Sequence, residues 1–251
     1  MAMIKLLRQR VVKPILKSAT AVFYKGRPIE EWPGFFTWLH GITVPRGIIP
    51  HDRPLPTGAA NINNIFELIE KTRNVAGDLA ECGVWRGQSL VPMGVYLQQR
   101  GIPKWIYGFD SFGGFPGSVV QDKKLGGANS EWKEPGCMSD TSIDVVRSKL
   151  AQFGVWNVEL IKGFFENTLV SYSSHLFSFV HLDCDTYSSY KQCLDFFYPR
   201  MSSGGIILLD EYNDPPWPGC NRAVDDFLEN KPERLELIAR DNYEKYYIIK
   251  C

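Results

Sequence analysis

From residue 61 onward the apolar positions follow two alternating rhythms. A three-to-four-residue spacing, carried by Ile62, Ile65, Phe66 and Ile69, predicts a helix over 61–73. Short apolar runs bounded by Gly, Asp or Ser predict strands at 77–84, 104–110, 158–163, 176–183 and 205–212. Helical patterns at 87–101, 141–154, 187–201 and 220–230 lie between them. Pro92 falls in the first turns of the 87–101 helix, where a missing N–H does least harm. The chain closes on "RLELIA" and "YEKYYIIK", two strands joined by a short turn. A parallel crossover takes about a dozen residues or more, so this pair is antiparallel. Strands alternating with helices predict an α/β fold, with a mostly parallel sheet, helices on both faces and a C-terminal antiparallel hairpin.

The 251 residues, 44% hydrophobic, suffice for one sizeable core. We expect one domain over 61–251, preceded by an N-terminal extension, 1–60, that is helical and irregular and serves as a lid or dimer arm. Trp32, Phe35, Phe36 and Trp38 make that extension too apolar for a free linker. Its start, "MAMIKLLRQRVVKPILKSAT", alternates Lys and Arg with apolar residues and is interrupted by Pro14. No uninterrupted apolar region of a signal peptide is present there. A surface helix or dimer arm is the first reading, hence a homodimer, and contact with a membrane surface the second. Lys+Arg and Asp+Glu balance at 28 each, which gives no support to a nucleic-acid partner. Six cysteines at 82, 137, 184, 193, 220 and 251 form no C-x-x-C pair, which points to a reducing, cytoplasmic setting and no zinc site.

Acids cluster at the ends of the expected strands. "FVHLDCDTYSSY" places Asp183 and Asp185 after an apolar run, and "GGIILLDEY" does the same with Asp210 and Glu211. In open parallel sheets ligands bind outside the carboxyl ends of strands, where all of these fall. In "AECGVWRGQS", Gly83 and Gly87 allow a tight strand-to-helix turn. Glu81 stands where a dinucleotide fingerprint has its first glycine, and its charge would repel a phosphate. Asp110, ending "YGFD", can take two ribose hydroxyls, or can cap the following turn. Asp185 can cap a helix from Tyr187, and Glu211 can be simply solvated. His181 shares a strand face with Asp183; a hydrogen-bonded core histidine is the first reading, a metal ligand or base the second. His40, His51 and His175 have no identifiable partner in sequence, and Trp132 and Trp217 are either sugar-stacking rings or packing anchors.

Taken in order, "GDLAECGVWRGQS", "IYGFDSFGGFPG", "LIKGFFENTL", "HLDCDTYSSY" and "YPRMSSGGIILLDEY…PGCNRAVDDF" resemble the macrocin O-methyltransferase (TylF-type) family across roughly 75–230. The resemblance implies a Rossmann-like class I methyltransferase sheet, S-adenosylmethionine as cofactor, a divalent metal (usually Mg²⁺) and methylation of a hydroxyl on a sugar, glycoside or related natural product. Carried over by position, Glu81 and Gly83 face the methionine part of the cofactor, Asp110 and Ser111 hold the ribose, and Gly163 and Phe164 flank the adenine. Gly87, Ser89 and Asp183 complete the candidate cofactor contacts. Asp183, Asp210 and Glu211 are the implied metal ligands, with Asp183 and Asp185 as candidate catalytic acids. The family carries two aspartates where this chain has Asp210–Glu211, a departure of one methylene. Alternatives are a small-phenol or catechol-type O-methyltransferase, and a cofactor-binding relative without turnover. The acceptor is expected to be a small molecule or glycan.

Overall fold

The computed structural model describes residues 59–117, 119–122, 135–240 and 243–251. The basic N-terminal stretch, the expected cover up to residue 58, His40, His51 and Trp132 lie outside these residues. The described chain runs α1 (Ala59–Lys71), β1 (Asp78–Cys82), α2 (Leu90–Arg100), β2 (Ile106–Asp110), α3 (Ile143–Gln152), β3 (Val158–Lys162), α4 (Phe165–Thr168), β4 (Phe177–Leu182), α5 (Tyr187–Phe197), β5 (Met201–Leu209), α6 (Pro218–Leu228), β6 (Leu235–Arg240) and β7 (Tyr243–Ile249). The strands form one seven-stranded sheet in the order β3-β2-β1-β4-β5-β7-β6. β1 to β5 are parallel, and β7 is antiparallel to both β5 and β6. The mixed sheet and its closing antiparallel pair are as expected.

Period-two alternation sorts each strand between two apolar layers. Leu79, Phe179, Ile206 and Leu208 face α1, α2 and α3. Ala80, Val180, Ile207 and Leu209 face α5 and α6. Cys82, Cys184, Cys193 and Cys220 sit in this second layer as buried apolar side chains.

Two boundaries differ from expectation, each for a local reason. The helix expected over 187–201 stops at Phe197, because Pro199 opens the chain into a 3-10 turn at Tyr198–Arg200. The "MSSGG" that follows becomes the first half of β5. At its other end β5 stops at Leu209, three residues early, which frees Asp210, Glu211 and Tyr212 from the ladder. The short α4 and the 3-10 turn at Leu169–Tyr172 had no periodicity to announce them. Among the described residues no helix is long and apolar enough to cross a membrane.

Candidate active site

A cavity of about 1000 Å³ opens beyond the carboxyl ends of the parallel strands. Its floor is held level by backbone bonds that continue the ladder past the strand ends. The Gly83 N–H donates to Phe109 O, Gly163 N–H to Asp110 O, Asp183 N–H to Cys82 O and Asp210 N–H to Leu182 O, each at 2.9 Å. Gly83 is required at this crossing. Its φ is +92°, and a Cβ there would lie 1.7 Å from the Asp183 carbonyl oxygen. Gly83→Ala is therefore expected to lower stability by more than about 1 kcal/mol and to displace Asp183. Chemical denaturation together with a cofactor titration measures both effects, and an unchanged midpoint would contradict the close crossing.

Asp110 joins the exits of β1 and β2. Its Oδ2 accepts from the Val84 and Trp85 N–H groups at 2.8 and 2.7 Å, and Oδ1 accepts from Phe112 N–H at 2.5 Å. Burial pushes its carboxyl above the ordinary range, and these N–H bonds pull back against it. Turn capping thus holds at two turns at once. The side chain also lines the cavity, and Oδ1, which accepts one bond where Oδ2 accepts two, keeps a second lone pair for a ligand hydroxyl. Gly83, Ser89, Ser111, Gly163 and Phe164 share that wall. Gly87 does not; its Cα packs toward the side chains of Val146 and Val91, so it shapes the turn only.

A row of four charged side chains crosses the sheet on the α1 face: Glu81 on β1, His181 on β4, Asp210 just past β5, and Lys245 on β7. His181 Nδ1 lies 2.9 Å from Glu81 Oε1, and Nε2 lies 3.2 Å from Asp210 Oδ1. Lys245 Nζ donates to Asp210 Oδ2 at 2.8 Å and to the Asp210 carbonyl at 2.5 Å. Asn61, reaching down from α1, donates to Asp210 Oδ1 at 3.2 Å. Burial works against a charged imidazole, but the bonds to Asp210 and Glu81 outweigh it and raise the His181 pKa to about 10. Lys245 and His181 hold the Asp210 carboxyl well below its usual range despite burial, and Asp210 in turn raises Lys245. Burial raises the Glu81 carboxyl, with His181 opposing.

The hydrogen-bonded core histidine read from the sequence is what the structure contains, and with both ring nitrogens taken His181 has none left for a metal. Glu81, carried over to the methionine part of the cofactor, is fully buried beneath the cavity floor, because the inward phase of β1 turns it to His181. Its Oε2 has no hydrogen-bond partner among the described residues.

Asp183, Asp185 and Glu211 form a separate group on the cavity wall, each offering an oxygen within 4.8 Å of the others. Burial and the Asp210 charge push the Asp183 carboxyl up to about 7. Burial, then Asp183 and Asp185, push Glu211 well above its ordinary value. Glu211 is only 3% exposed, so the solvated reading fails, and its Oε2 lacks a partner among the described residues. The Tyr190 hydroxyl donates to Leu182 O at 3.0 Å and accepts from Glu211 N–H at 3.2 Å, which pins the exits of β4 and β5 together. Thr186, not Asp185, caps α5, accepting from Ser189 N–H. Asp185 itself has a left-handed backbone, φ +65°. Crowded carboxylates with an orphaned buried oxygen form an all-oxygen donor set, which fits a hard divalent cation such as Mg²⁺. His181, Asp183 and Asp210 also approach within 4.8 Å, but there His181 and Asp210 are already bonded to each other.

Trp217 is nearly buried and meets Phe115 edge-to-face at 6.2 Å between ring centres, a packing anchor at the cavity rim. Sequence reasoning missed Lys245, Asn61 and Tyr190. One signal was available for Lys245: in "YEKYYIIK" it shares the phase of Tyr247, so a charge stands on the inward face of a strand.

Residues 54–248 match the macrocin-O-methyltransferase (TylF) family. This chain belongs to that family. The O-methyltransferase is 28% identical over 195 residues to demethyldecarbamoylnovobiocin O-methyltransferase of Streptomyces niveus, a match spanning 76% of this chain and 73% of the relative. It is 29% identical over 175 residues to 8-demethyl-8-(2,3-dimethoxy-alpha-L-rhamnosyl)-tetracenomycin-C 4'-O-methyltransferase of Streptomyces olivaceus, across 68% of this chain and 66% of that one. The solved structure of the O-methyltransferase NovP aligns with a TM-score of 0.66 at 27% identity, covering 77% of this chain and 80% of NovP. The sheet is thus that of the class I, S-adenosylmethionine-dependent methyltransferases.

Proposed function

We propose that this O-methyltransferase moves the methyl group of S-adenosylmethionine to a sugar hydroxyl on a glycoside or related natural product, assisted by a divalent cation. The observation that carries the reading is one cavity with two chemically distinct walls. Asp110, Ser111, Gly163 and Phe164 line it at the exits of β2 and β3, and Asp183, Asp185 and Glu211 at the exits of β4 and β5, with β1 between in the sheet order. About 1000 Å³ is at the upper end for small-molecule sites, room for a cofactor and an acceptor side by side. The relative named for a rhamnosyl group supports a sugar acceptor.

In this reading Asp110 and Ser111 hold the ribose, Phe164 covers the adenine, and Gly83 and Ser89 border the methionine part. Transfer from a sulfonium is a direct displacement, so the acceptor oxygen must lie in line with the methyl group and lose its proton. A carboxylate of Asp183 or Asp185 takes that proton. Acids at the exits of β4 and β5 (Asp183, Asp210 and Glu211 by family position) would hold the cation, which would supply polarisation of the acceptor hydroxyl. The rim of Phe115 and Trp217 excludes water on one side. The aromatic N-terminal segment supplies a second cover or a dimer arm.

Calorimetric titration of S-adenosylmethionine into wild type and Asp110→Ala tests the cofactor wall. Loss of a charged hydrogen bond, about 1.5–3 kcal/mol, predicts at least ~10-fold weaker binding. Release of S-adenosylhomocysteine is then followed with deoxysugar glycosides and with catechols. Turnover confined to catechols would replace the sugar reading, and unchanged cofactor affinity in Asp110→Ala would move the ribose elsewhere.

A further inference from the structure

The turn that leaves β1 is held from outside by a carboxylate 55 residues further along the chain. Asp140 Oδ1 accepts from the Trp85 indole Nε1–H at 2.9 Å, and Oδ2 pairs with the Arg86 guanidinium. That guanidinium lies over the Trp85 ring, 4.7 Å from its centre. Thr141 donates its hydroxyl to the Trp85 carbonyl at 3.0 Å, and Lys149 its ammonium to the Arg86 carbonyl at 2.5 Å. Ser142 caps α3 directly afterwards, so all of these groups are carried by one helix and its approach. Trp85 needs such support. Its φ is +45°, a left-handed backbone that a bulky side chain rarely adopts. Conformations of this kind persist where their surroundings fix them, and they cluster at functional sites. Here the turn delivers the Trp85 N–H to Asp110 Oδ2 at 2.7 Å, beside the Val84 N–H at 2.8 Å. With Oδ2 taken twice, Oδ1 is the oxygen with a lone pair left for a ligand hydroxyl.

We propose that Asp140 is a positioning residue for the cofactor: by holding the Trp85 indole and the Arg86 guanidinium together, it fixes the left-handed turn whose N–H groups orient Asp110 toward the ribose. The proposal rests on the ribose reading of Asp110 above. Asp140 does not line the cavity, so its effect passes through Trp85, which does. Its two oxygens serve two different donors, so the carboxylate cannot turn without breaking one of the bonds. Arg86 is buried, and the charge-assisted pair it makes with Asp140 is firmer than one between two solvated side chains. Fixing Trp85 in turn leaves Asp110 Oδ2 no freedom to swing toward the ligand, and Oδ1 is presented in one orientation.

The test measures calorimetric affinities of S-adenosylhomocysteine and of its 2′,3′-dideoxy analogue, which lacks both ribose hydroxyls, for the full chain. The ratio of the two affinities reports ribose recognition alone, because a general loosening of the pocket weakens both ligands together. Wild type is expected to prefer S-adenosylhomocysteine at least ~10-fold, and Asp110→Ala to abolish most of that preference. Asp140→Ala is expected to compress the ratio at least ~3-fold, with thermal melts establishing that the variant is folded. Equal weakening of both ligands in Asp140→Ala, with the wild-type ratio kept, makes Asp140 a structural residue only and overturns the proposal. Should Asp140→Ala fail to fold, Trp85→Phe decides, since it removes the indole N–H and leaves Asp140 paired with Arg86. A compressed ratio there upholds the latch, and a wild-type ratio refutes it. A ratio that Asp110→Ala does not move refutes the ribose reading itself, and the latch with it, a failure distinct from that of Asp140 alone.

Discussion

Asp183→Ala is expected to lower kcat by about 10²–10⁴-fold, the usual loss when a positioned proton acceptor is removed. Cofactor affinity should fall far less, because Asp183 stands on the acid wall, away from Asp110 and Phe164. The same residue predicts a pH dependence. Its carboxyl moves from an ordinary 3.8 to about 7 through burial and the Asp210 charge. Between those values the folded chain keeps a proton that the unfolded chain releases, so in the absence of cation Asp183 makes stability fall as pH rises through this window. Asp183→Asn removes that penalty. The variant should therefore be more stable than wild type at pH 8 and indistinguishable near pH 3.5, a convergence that thermal melts in chelator will detect. Activity that needs the carboxylate rises through about pH 7 where cation is scarce, and a bound cation, by displacing the proton, moves that limb to lower pH. Where cation is scarce, a pH-independent kcat between 6 and 8, roughly one unit to either side of that titration, would remove Asp183 from the proton path.

His181→Leu is expected to destabilise the fold by about 3–5 kcal/mol, because it leaves buried carboxylates without their shared cation. Glu81 is fully buried and has His181 on one oxygen and no partner on the other among the described residues. Asp210 keeps Lys245 and Asn61, so the loss concentrates at Glu81. The imidazole titrates near 10 in the fold against 6.5 when free, so its contribution is complete below pH 6.5 and vanishes as pH rises through about 10. Urea unfolding of both proteins at pH 6 and pH 10.5 should show a wide gap that narrows at the higher pH. A gap under about 1 kcal/mol at pH 6 would mean that Glu81 is folded as the neutral acid and needs no counter-ion.

The alternation of helices and strands, the antiparallel close and the acids at the strand ends could all be read from the chain, since each is local. Periodicity needs only neighbours two to four residues apart, and an apolar run that halts at Asp183 or Asp210 marks a strand end by itself. Asp185 and Glu211 were visible as acids, but whether each was a solvated or capping residue depended on Thr186, Tyr190 and the burial around them. Glu81 shows a related limit: its phase on β1 was legible, but the partner it bonds, His181, lies 100 residues on.

Lys245 marks the boundary most clearly. Alternation already put it on the inward face of the last strand, and nothing local said which acid it would meet. That was settled when β7 inserted between β5 and β6, burying Tyr247 and Ile248 and bringing an ammonium beside a carboxylate 35 residues away. Strand order and register are chosen by burial summed over the whole sheet, a quantity that no short window of residues contains.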